Sequence, residues 1–233
     1  MLSIFCDIAD EKVIRKYIKN PKVKGVTTNP SLMRQAGAKD YETYCKKLLK
    51  NFKNNNKTIS FEVLADDYKS MKRQALKIGS WSKNIYVKIP IINSKGQFQG
   101  KLIKELCNQN MKLNITAIFS FDQVKKLLKC INKDSHVYIS IFAGRLGDSG
   151  KDPVGIFKKT IKKVKNFKNA KVLWASTREV FHYVQAKRLG CDIITMPPSM
   201  INKLNTLGAS NQQMSLSTVK GFLTDSKKAK FKL

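Results

Sequence analysis

Short apolar runs with alternating polar positions recur along the chain, and longer Lys-rich segments with helical periodicity separate them. A period of two residues indicates a strand, and apolar positions three and four residues apart indicate an amphipathic helix. The pattern predicts strands at Ser3–Ala9, Val23–Asn29, Thr58–Leu64, Asn84–Pro90, Lys112–Ile118, His136–Phe142, Lys171–Ser176 and Asp192–Pro197. It predicts helices at Asp10–Lys19, Asp40–Phe52, Asp66–Ile78, Lys101–Asn108, Phe121–Ile131, Asp152–Lys165 and Arg178–Leu189, with a helical tail at Ser215–Lys230.

Strict alternation of strand and helix predicts an α/β fold with a parallel sheet. The repeat number and chain length favour one (β/α)8 TIM barrel over residues 1–233, with 211–233 as a C-terminal helical extension. A doubly wound open sheet is the alternative. The extension would pack on a neighbouring subunit or cover the base of the barrel. Aspartates at the predicted helix starts are expected to cap them, namely Asp10, Asp40, Asp66 and Asp152.

Composition is ordinary for a globular protein, with 42% hydrophobic and 26% charged residues. No apolar run is long enough to cross a bilayer, and the N-terminus lacks the basic region of a signal peptide. Five cysteines without a CxxC pair indicate a reducing compartment, and only His136 and His182 carry imidazoles, which argues against zinc. The sequence therefore predicts a cytoplasmic protein that needs no metal or cofactor.

The net charge is +29, from 45 Lys and Arg against 16 Asp and Glu. Such a balance suits nucleic acid or phosphorylated substrates. However, the lysines are spread over most predicted helices, and no RNA-binding signature or zinc-finger spacing accompanies them. We therefore expect no nucleic-acid partner, and a basic nucleic-acid-binding barrel is kept as the alternative from a different class.

The predicted strand Asn84–Pro90 carries a lysine, Lys88, in its middle. Alternation places Lys88 beside Tyr86 and opposite the three aliphatic residues of the strand. Burying a charged ammonium is costly, so a lysine in such a setting is biased towards the neutral amine that attacks carbonyls. The alternative is a solvated lysine on an edge strand, where lysine is common.

Polar residues share one parity near the carboxyl ends of most strands. They are Asp7, Thr27, Asn29, Ser60, Glu62, Asn114, Thr116 and Ser140, and the same parity takes Tyr138 and Phe142 in the sixth strand and Trp174 and Ser176 in the seventh. The solvated face of an antiparallel sheet would also alternate, but in this chain it would consist mostly of lysine. An internal polar site at the catalytic end of a barrel is favoured.

Several motifs, in order, resemble those of the transaldolase family. They are Gly25–Leu32 (GVTTNPSL), Val87–Pro90 (VKIP), Asn114–Ser120 (NITAIFS), Ser140–Arg145 (SIFAGR) and Ala175–Arg178 (ASTR). The resemblance runs from Asp7 to about Pro198, and the chain length is similar to that of the short subfamily that includes the fructose-6-phosphate aldolases. It implies a metal-free class I aldol mechanism on a (β/α)8 barrel, in a homo-oligomer of five or ten subunits.

The resemblance also implies roles for individual residues. Lys88 would form a Schiff base with a ketose phosphate, and Asp7 would take the proton of the C4 hydroxyl as the C3–C4 bond breaks. Glu62, with Thr116 and a held water, would move protons during imine formation and hydrolysis. The substrate hydroxyls would be held by Asn29, Asn114, Ser140 and Ser176, and the phosphate by Arg145 and Arg178.

Simpler roles stay open for these residues. Asp7 would cap the first helix, Asn29 would serve as a turn residue, Thr116 would only pack, Arg145 and Arg178 would form surface ion pairs, and Ser176 would cap a helix.

Two positions separate the activities within this resemblance. Transaldolases carry Glu in the third strand and Phe in the sixth, where fructose-6-phosphate aldolases have Gln and Tyr. This chain has Glu62 and Phe142, which favours a transaldolase of the pentose phosphate pathway, with the aldolase as alternative. Ile8 and Ile141 depart from the family's usual Thr and Pro, but both have the helix-facing parity.

Overall fold

Parallel strands form a closed barrel in the computed structural model, which describes residues 1–53 and 55–231. Each strand pairs with the next along the chain, and the eighth pairs with the first. The strands are β1 (Ser3–Asp7), β2 (Val23–Thr27), β3 (Thr58–Glu62), β4 (Ile85–Pro90), β5 (Leu113–Ile118), β6 (Val137–Phe142), β7 (Ala170–Ala175) and β8 (Ile193–Met196). The predicted (β/α)8 barrel is confirmed, and the open-sheet alternative is wrong.

Helices follow the strands. They are α1 (Glu11–Ile18), α2 (Pro30–Gln35), α3 (Tyr41–Leu49), α4 (Tyr68–Ser80), α5 (Gly100–Asn108), α6 (Phe121–Leu128), α7 (Ala143–Asp148), α8 (Val154–Val164), α9 (Phe181–Leu189), α10 (Pro198–Lys203) and α11 (Asn211–Ala229). The sequence pattern did not predict α2, α7 and α10, because a helix of six residues is too short to display a period.

Of the four aspartates predicted to cap helices, two do so and two do not. Asp10 and Asp40 cap α1 and α3 as predicted, each accepting a backbone N–H from the first turn. Asp152 is not the cap of α8, which is Pro153, although its Oδ1 accepts the backbone N–H of Val154 at 2.8 Å.

The cap of α4 is Asp67 and not Asp66. The carboxylate of Asp66 instead accepts the backbone N–H of Ser94 at 2.8 Å. The cap therefore lies one residue later than predicted, and α4 itself begins at Tyr68.

The C-terminal helix α11 begins earlier than the predicted Ser215, because Ser210 and Gln213 form a capping box there. Every residue of α11 is exposed. Its exposed apolar side chains are Met214, Leu216, Val219, Phe222 and Leu223.

Two hydrophobic layers hold the barrel. The larger lies between strands and helices, and the smaller fills the barrel interior with Phe5, Tyr86, Tyr138, Leu173, Ala175 and Ile193. The Tyr86 and Tyr138 rings stack with centroids 3.7 Å apart. This aromatic floor closes the barrel below the polar residues, so the site opens only towards the carboxyl ends of the strands.

The predicted inward parity of Trp174 is wrong. Trp174 pairs with Ile141 and Ile194, which both face the helices, and neighbours in register share a face. Its ring stacks on Phe157 with centroids 4.2 Å apart. The side chains of β7 that face the barrel interior are those of Leu173 and Ala175.

Among the described helices, none combines the length and the apolar character needed to cross a membrane.

Candidate active site

A pocket opens where the barrel strands end. Of the eleven residues predicted for the site, ten line it: Asp7, Asn29, Lys88, Asn114, Thr116, Ser140, Phe142, Arg145, Ser176 and Arg178. The eleventh, Glu62, reaches the pocket through its contact with Lys88. The structure therefore brings together side chains from β1 to β7 that lie up to 171 positions apart along the chain (Asp7 to Arg178).

The amine of Lys88 is buried at the centre of this pocket, with a side chain that is 8% exposed. Its Nζ lies 3.0 Å from Glu62 Oε2 and donates to the backbone oxygen of Thr28 at 2.8 Å. The alternative of a solvated edge-strand lysine is wrong. The amine is not isolated either, because the Glu62 carboxylate lies within ion-pair distance of it.

Glu62 ends β3 and pairs in register with Lys88 of β4. Its backbone is held by the hydroxyl of Tyr41, which donates to Glu62 O at 2.8 Å and accepts from Glu62 N at 3.0 Å. Tyr41 was not among the predicted site residues, since a tyrosine at the start of an amphipathic helix carries no distinctive signal.

Asp7 ends β1, and its Oδ1 accepts a 2.6 Å hydrogen bond from the hydroxyl of Thr27, which in turn pairs with the hydroxyl of Thr195. Part of Asp7 faces the pocket, but the strands enclose the carboxyl, and this desolvation raises the pKa of Asp7 above its ordinary value. The bond from Thr27 and the charge of Lys88 oppose the rise. Because Asp10 caps α1, the capping alternative for Asp7 is wrong.

Thr27 and Thr195 were not predicted as site residues, although both line the pocket. Thr195 follows the inward-facing Ile193 at strand spacing, so extending the parity argument to β8 would have found it.

A buried chain of hydrogen bonds crosses the barrel at Asn114. Ser140 Oγ donates to Asn114 Oδ1 at 2.6 Å, and Asn114 Nδ2 donates to Ser60 Oγ at 3.1 Å. These bonds fix which end of the amide is donor and which is acceptor. The network therefore holds polar groups of defined orientation beside the pocket.

Asn29 and Thr116 both line the pocket. Asn29 caps α2 by accepting from Leu32 N at 2.9 Å and also lines the pocket, so the turn role and the binding role coexist. The Thr116 hydroxyl is buried and has no hydrogen-bond partner among the described residues. Because a buried polar atom without a partner is costly, this hydroxyl is suited to bond a ligand or water.

Ser176 enters the pocket through a left-handed backbone conformation with φ 61°. This conformation changes the direction of the backbone directly after Ala175, the last residue of β7. It lies so close to α7 that a Cβ at Gly144 would sit 1.7 Å from Ser176 O. The cap alternative for Ser176 is wrong, because α9 begins only at Phe181.

Two arginines stand at the mouth of the pocket. Arg178 Nε and Nη2 both donate to Asp148 Oδ2, at 3.0 and 2.9 Å, so the surface ion pair expected as its alternative role does form. Arg145 Cζ lies 5.8 Å from the centroid of the Phe142 ring. Both guanidinium groups also line the pocket, where they favour an anionic ligand group.

The arrangement provides a buried amine, two carboxylates with different environments and a cationic rim. Within the described residues, no cluster of three or more His, Cys, Asp or Glu side chains is arranged to hold a metal ion. Of the two histidines, His182 lies under the Arg178 loop, where burial lowers the pKa of its imidazole.

Comparisons with known proteins place the chain in a sequence family. Residues 4–233 match the family model described as "Transaldolase/Fructose-6-phosphate aldolase". The chain is 32% identical over 228 residues to a "Probable transaldolase" of Bacteroides thetaiotaomicron, covering 97% of this chain and 99% of that protein. It is 30% identical over 207 residues to a "Probable transaldolase" of Nitrosopumilus maritimus, covering 87% of each.

Solved structures share the barrel at much lower identity. N-acetylneuraminate lyase from Mycoplasma synoviae matches with a TM-score of 0.55 and 12% identity over 97% of this chain and 82% of that one. KGPDC from Streptococcus mutans matches with a TM-score of 0.55 and 10% identity over 84% of this chain and 88% of that one. These likenesses concern the fold.

Proposed function

The chain belongs to the transaldolase/fructose-6-phosphate aldolase family, and from that membership and the geometry of its pocket we propose that it is a transaldolase. It transfers a dihydroxyacetone unit from sedoheptulose 7-phosphate to glyceraldehyde 3-phosphate, giving erythrose 4-phosphate and fructose 6-phosphate, and runs the reverse reaction. The observation that carries the proposal is the buried Lys88 amine in contact with the Glu62 carboxylate.

The first step joins Lys88 to the ketone of the donor sugar. A proton passes from the ammonium to Glu62, and the free amine attacks the carbonyl carbon to give a carbinolamine. Glu62 then returns its proton to the departing hydroxyl, so that water leaves and a protonated imine remains. Thr116, whose hydroxyl faces the pocket without a protein partner among the described residues, holds the water that takes part.

The second step breaks the C3–C4 bond. Asp7 takes the proton of the C4 hydroxyl, the bond pair moves into the protonated imine, and an aldehyde leaves an enamine on Lys88. The raised pKa of Asp7 supports this role, since it brings a carboxyl closer to the proton affinity that a general base needs near neutral pH. The acceptor aldehyde reverses these steps, and hydrolysis of the imine releases the product.

The remaining pocket groups orient the substrate. We assign the hydroxyls of the bound dihydroxyacetone unit to four polar residues: Asn29, Asn114, Ser140 and Ser176. The phosphate binds Arg145 and Arg178 at the mouth, where a guanidinium offers paired donors to its oxygens. Arg178 then shares its donors between the phosphate and Asp148.

Transfer is favoured over aldol cleavage by Glu62 and Phe142. A phenol in place of Phe142 would offer a proton to the enamine and release free dihydroxyacetone, whereas a phenyl ring leaves the enamine waiting for a sugar aldehyde. Fructose-6-phosphate aldolase is the second candidate within the family. Measuring free dihydroxyacetone from fructose 6-phosphate without an acceptor separates the two.

Borohydride reduction in the presence of fructose 6-phosphate tests the proposal directly. A transaldolase accumulates a reduced adduct on Lys88, which peptide mass spectrometry locates, and Lys88→Met gives none. An unlabelled Lys88 in the wild-type protein would end the hypothesis. Salt-sensitive binding of nucleic acid that sugar phosphates do not compete for would instead favour the basic nucleic-acid-binding barrel.

We also propose that the chain forms a homo-oligomer of five or ten copies through α11. The support is a helix whose residues are all exposed and whose apolar side chains include Phe222 and Leu223. Light scattering on the full chain tests this. A monomer at micromolar concentration, or a mass unchanged by Phe222→Asp, would contradict it.

The setting that we propose is the pentose phosphate pathway in the cytoplasm. It is supported by the family's activity and by the five cysteines, which are all free thiols.

A further inference from the structure

The hydroxyl of Tyr41 bonds both backbone groups of a single residue, Glu62. It donates to Glu62 O at 2.8 Å and accepts from Glu62 N at 3.0 Å. Tyr41 is the first residue of α3, so its side chain crosses from the helix layer to the end of β3.

The barrel leaves these two groups without a strand partner. Along β3, Val63 N donates to Lys88 O on the β4 side, whereas Ser60 O accepts from Thr28 N on the β2 side. Backbone groups of consecutive residues point to opposite neighbours, so those of Glu62, two residues after Ser60, point towards β2. At this level β2 has already ended, and the chain has turned into α2. The phenol of Tyr41 takes the place of the missing strand.

We propose that Tyr41 is a positioning residue that fixes the end of β3 so that the Glu62 carboxylate meets the Lys88 amine. The inference rests on the proposed role of Glu62 in carrying protons to and from the imine nitrogen. Glu62 Oε2 is 3.0 Å from Lys88 Nζ, and Glu62 is the last residue of its strand, so an unheld backbone there would let the carboxylate drift from this contact.

The tether does not depend on pH in the working range. Burial raises the pKa of the Tyr41 phenol well above its usual value. The hydroxyl therefore keeps its proton and serves as donor and acceptor together.

Tyr44 provides a matched control on the same helix. Its hydroxyl donates to the backbone oxygens of Ala9 and Ala36, at 3.1 and 3.3 Å. Tyr44→Phe thus removes the same atom from a tyrosine of α3 that also bonds backbone carbonyls, but it touches no residue proposed to move protons.

The first measurement compares Tyr41→Phe with Tyr44→Phe in steady-state transfer from fructose 6-phosphate to erythrose 4-phosphate. Tyr41→Phe lowers kcat about 10-fold or more and changes KM less than about twofold, because phosphate binding at the arginines is untouched. Tyr44→Phe changes neither by more than about twofold. A Tyr41→Phe enzyme with the kcat of Tyr44→Phe overturns the inference.

A double-mutant cycle with Glu62→Gln separates positioning from a general loss of structure. If Tyr41 acts through the Glu62 carboxylate, Tyr41→Phe slows a Glu62→Gln enzyme less than about twofold. Multiplying effects in the double variant would show that Tyr41 acts independently, which overturns the proposal. Rates are expressed per folded molecule, with the folded fraction of each variant taken from denaturant unfolding, so unfolded protein does not count. If Tyr41→Phe yields no folded protein, Tyr41→Met, which also removes the hydroxyl but leaves a flexible apolar side chain to fill the space, replaces it in the cycle.

Borohydride trapping separates this inference from the proposed function. A wild-type chain without an adduct on Lys88 means that the transaldolase proposal fails. If the wild-type chain forms the adduct, only the role of Tyr41 fails in two cases. Either the effects of Tyr41→Phe and Glu62→Gln multiply in the double variant, or Tyr41→Phe has the kcat of Tyr44→Phe.

Discussion

Lys88 and Glu62 occupy paired positions on neighbouring strands, and their side chains meet in a 3.0 Å ion pair that is largely removed from solvent. Removing one partner of a buried pair leaves the other charge uncompensated, whereas removing both is far less costly. The site therefore imposes a specific pattern on the stability of its own variants.

Lys88→Met should abolish transfer and lower the free energy of unfolding by about 2–4 kcal/mol, because the carboxylate of Glu62 loses its partner. Adding Glu62→Gln should recover most of that loss without restoring activity. Denaturant unfolding of the single and double variants measures both values. Equal stability of Lys88→Met and the wild type would show that the pair contributes nothing.

Asp7→Asn should slow carbon–carbon cleavage about 10²–10⁴-fold, as expected when a general base is removed. The same change should stabilise the fold at neutral pH. Burial raises the folded-state pKa of Asp7, so the folded protein binds this proton more tightly than the unfolded chain does. Ionisation of this carboxyl therefore lowers the stability of the folded protein as pH rises from the unfolded-state pKa through the folded-state pKa. Asparagine has no charge and avoids this loss.

Melting curves at several pH values measure this gain. The melting temperature of Asp7→Asn should exceed that of the wild type at pH 8, and the difference should shrink at acidic pH, where Asp7 is protonated in both states; each kcal/mol corresponds to roughly 2–4 °C for a chain of this size. A less stable variant at pH 8 would mean that the bond from Thr27 outweighs desolvation.

Gly144→Ala should damage the phosphate end of the pocket. The added methyl group would meet Ser176 O at 1.7 Å and Arg178 Cγ at 2.7 Å, and a backbone atom cannot move aside alone. We expect a loss of about 1–3 kcal/mol in stability and a higher KM for phosphorylated substrates.

Gly147→Ala on the same helix is the control, because nothing lies within 4 Å of its added methyl group. It should leave KM unchanged and stabilise α7 by about 0.5–1 kcal/mol. Thermal melting and substrate titration measure the stability and KM of the two variants. Equal values for both would show that the close contact between Gly144 and Ser176 has no functional importance.

Phe142→Tyr should increase the release of free dihydroxyacetone about 10-fold or more relative to transfer, because the new phenol can protonate the enamine. An enzyme-coupled assay without acceptor aldehyde detects the product. Phe119→Tyr is the matched control: its ring centroid is 5.5 Å from that of Phe142, but it does not line the pocket. Equal product release from both variants would leave Phe142 without a role in the choice of reaction.

Much of this architecture was predictable because barrel strands repeat one simple pattern. Apolar alternation locates every strand, and a shared parity groups Asp7, Asn114 and Ser140 from the sequence alone. Parity failed at β7, where Trp174 faces the helices, because the backbone leaves strand geometry at Ser176 and the alternation cannot be extended through it.

Other features depend on partners that alternation does not encode. The Tyr41 hydroxyl bonds backbone groups of Glu62 that have no strand partner, because β2 ends at Thr27, before this level of the barrel. Likewise, the ion pair between Arg178 and Asp148 joins the segment after β7 to the end of α7. Such contacts follow from the folded arrangement and have no local signature.

Closure of the barrel by β1 and β8 has a consequence for synthesis on the ribosome. Thr195 is translated 188 residues after Asp7 (195 − 7), yet its hydroxyl bonds the Thr27 hydroxyl that in turn bonds Asp7. Until then β1 presents an unpaired edge to other nascent chains, as strands awaiting distant partners do. Incomplete translation products should consequently be prone to aggregation rather than partially active.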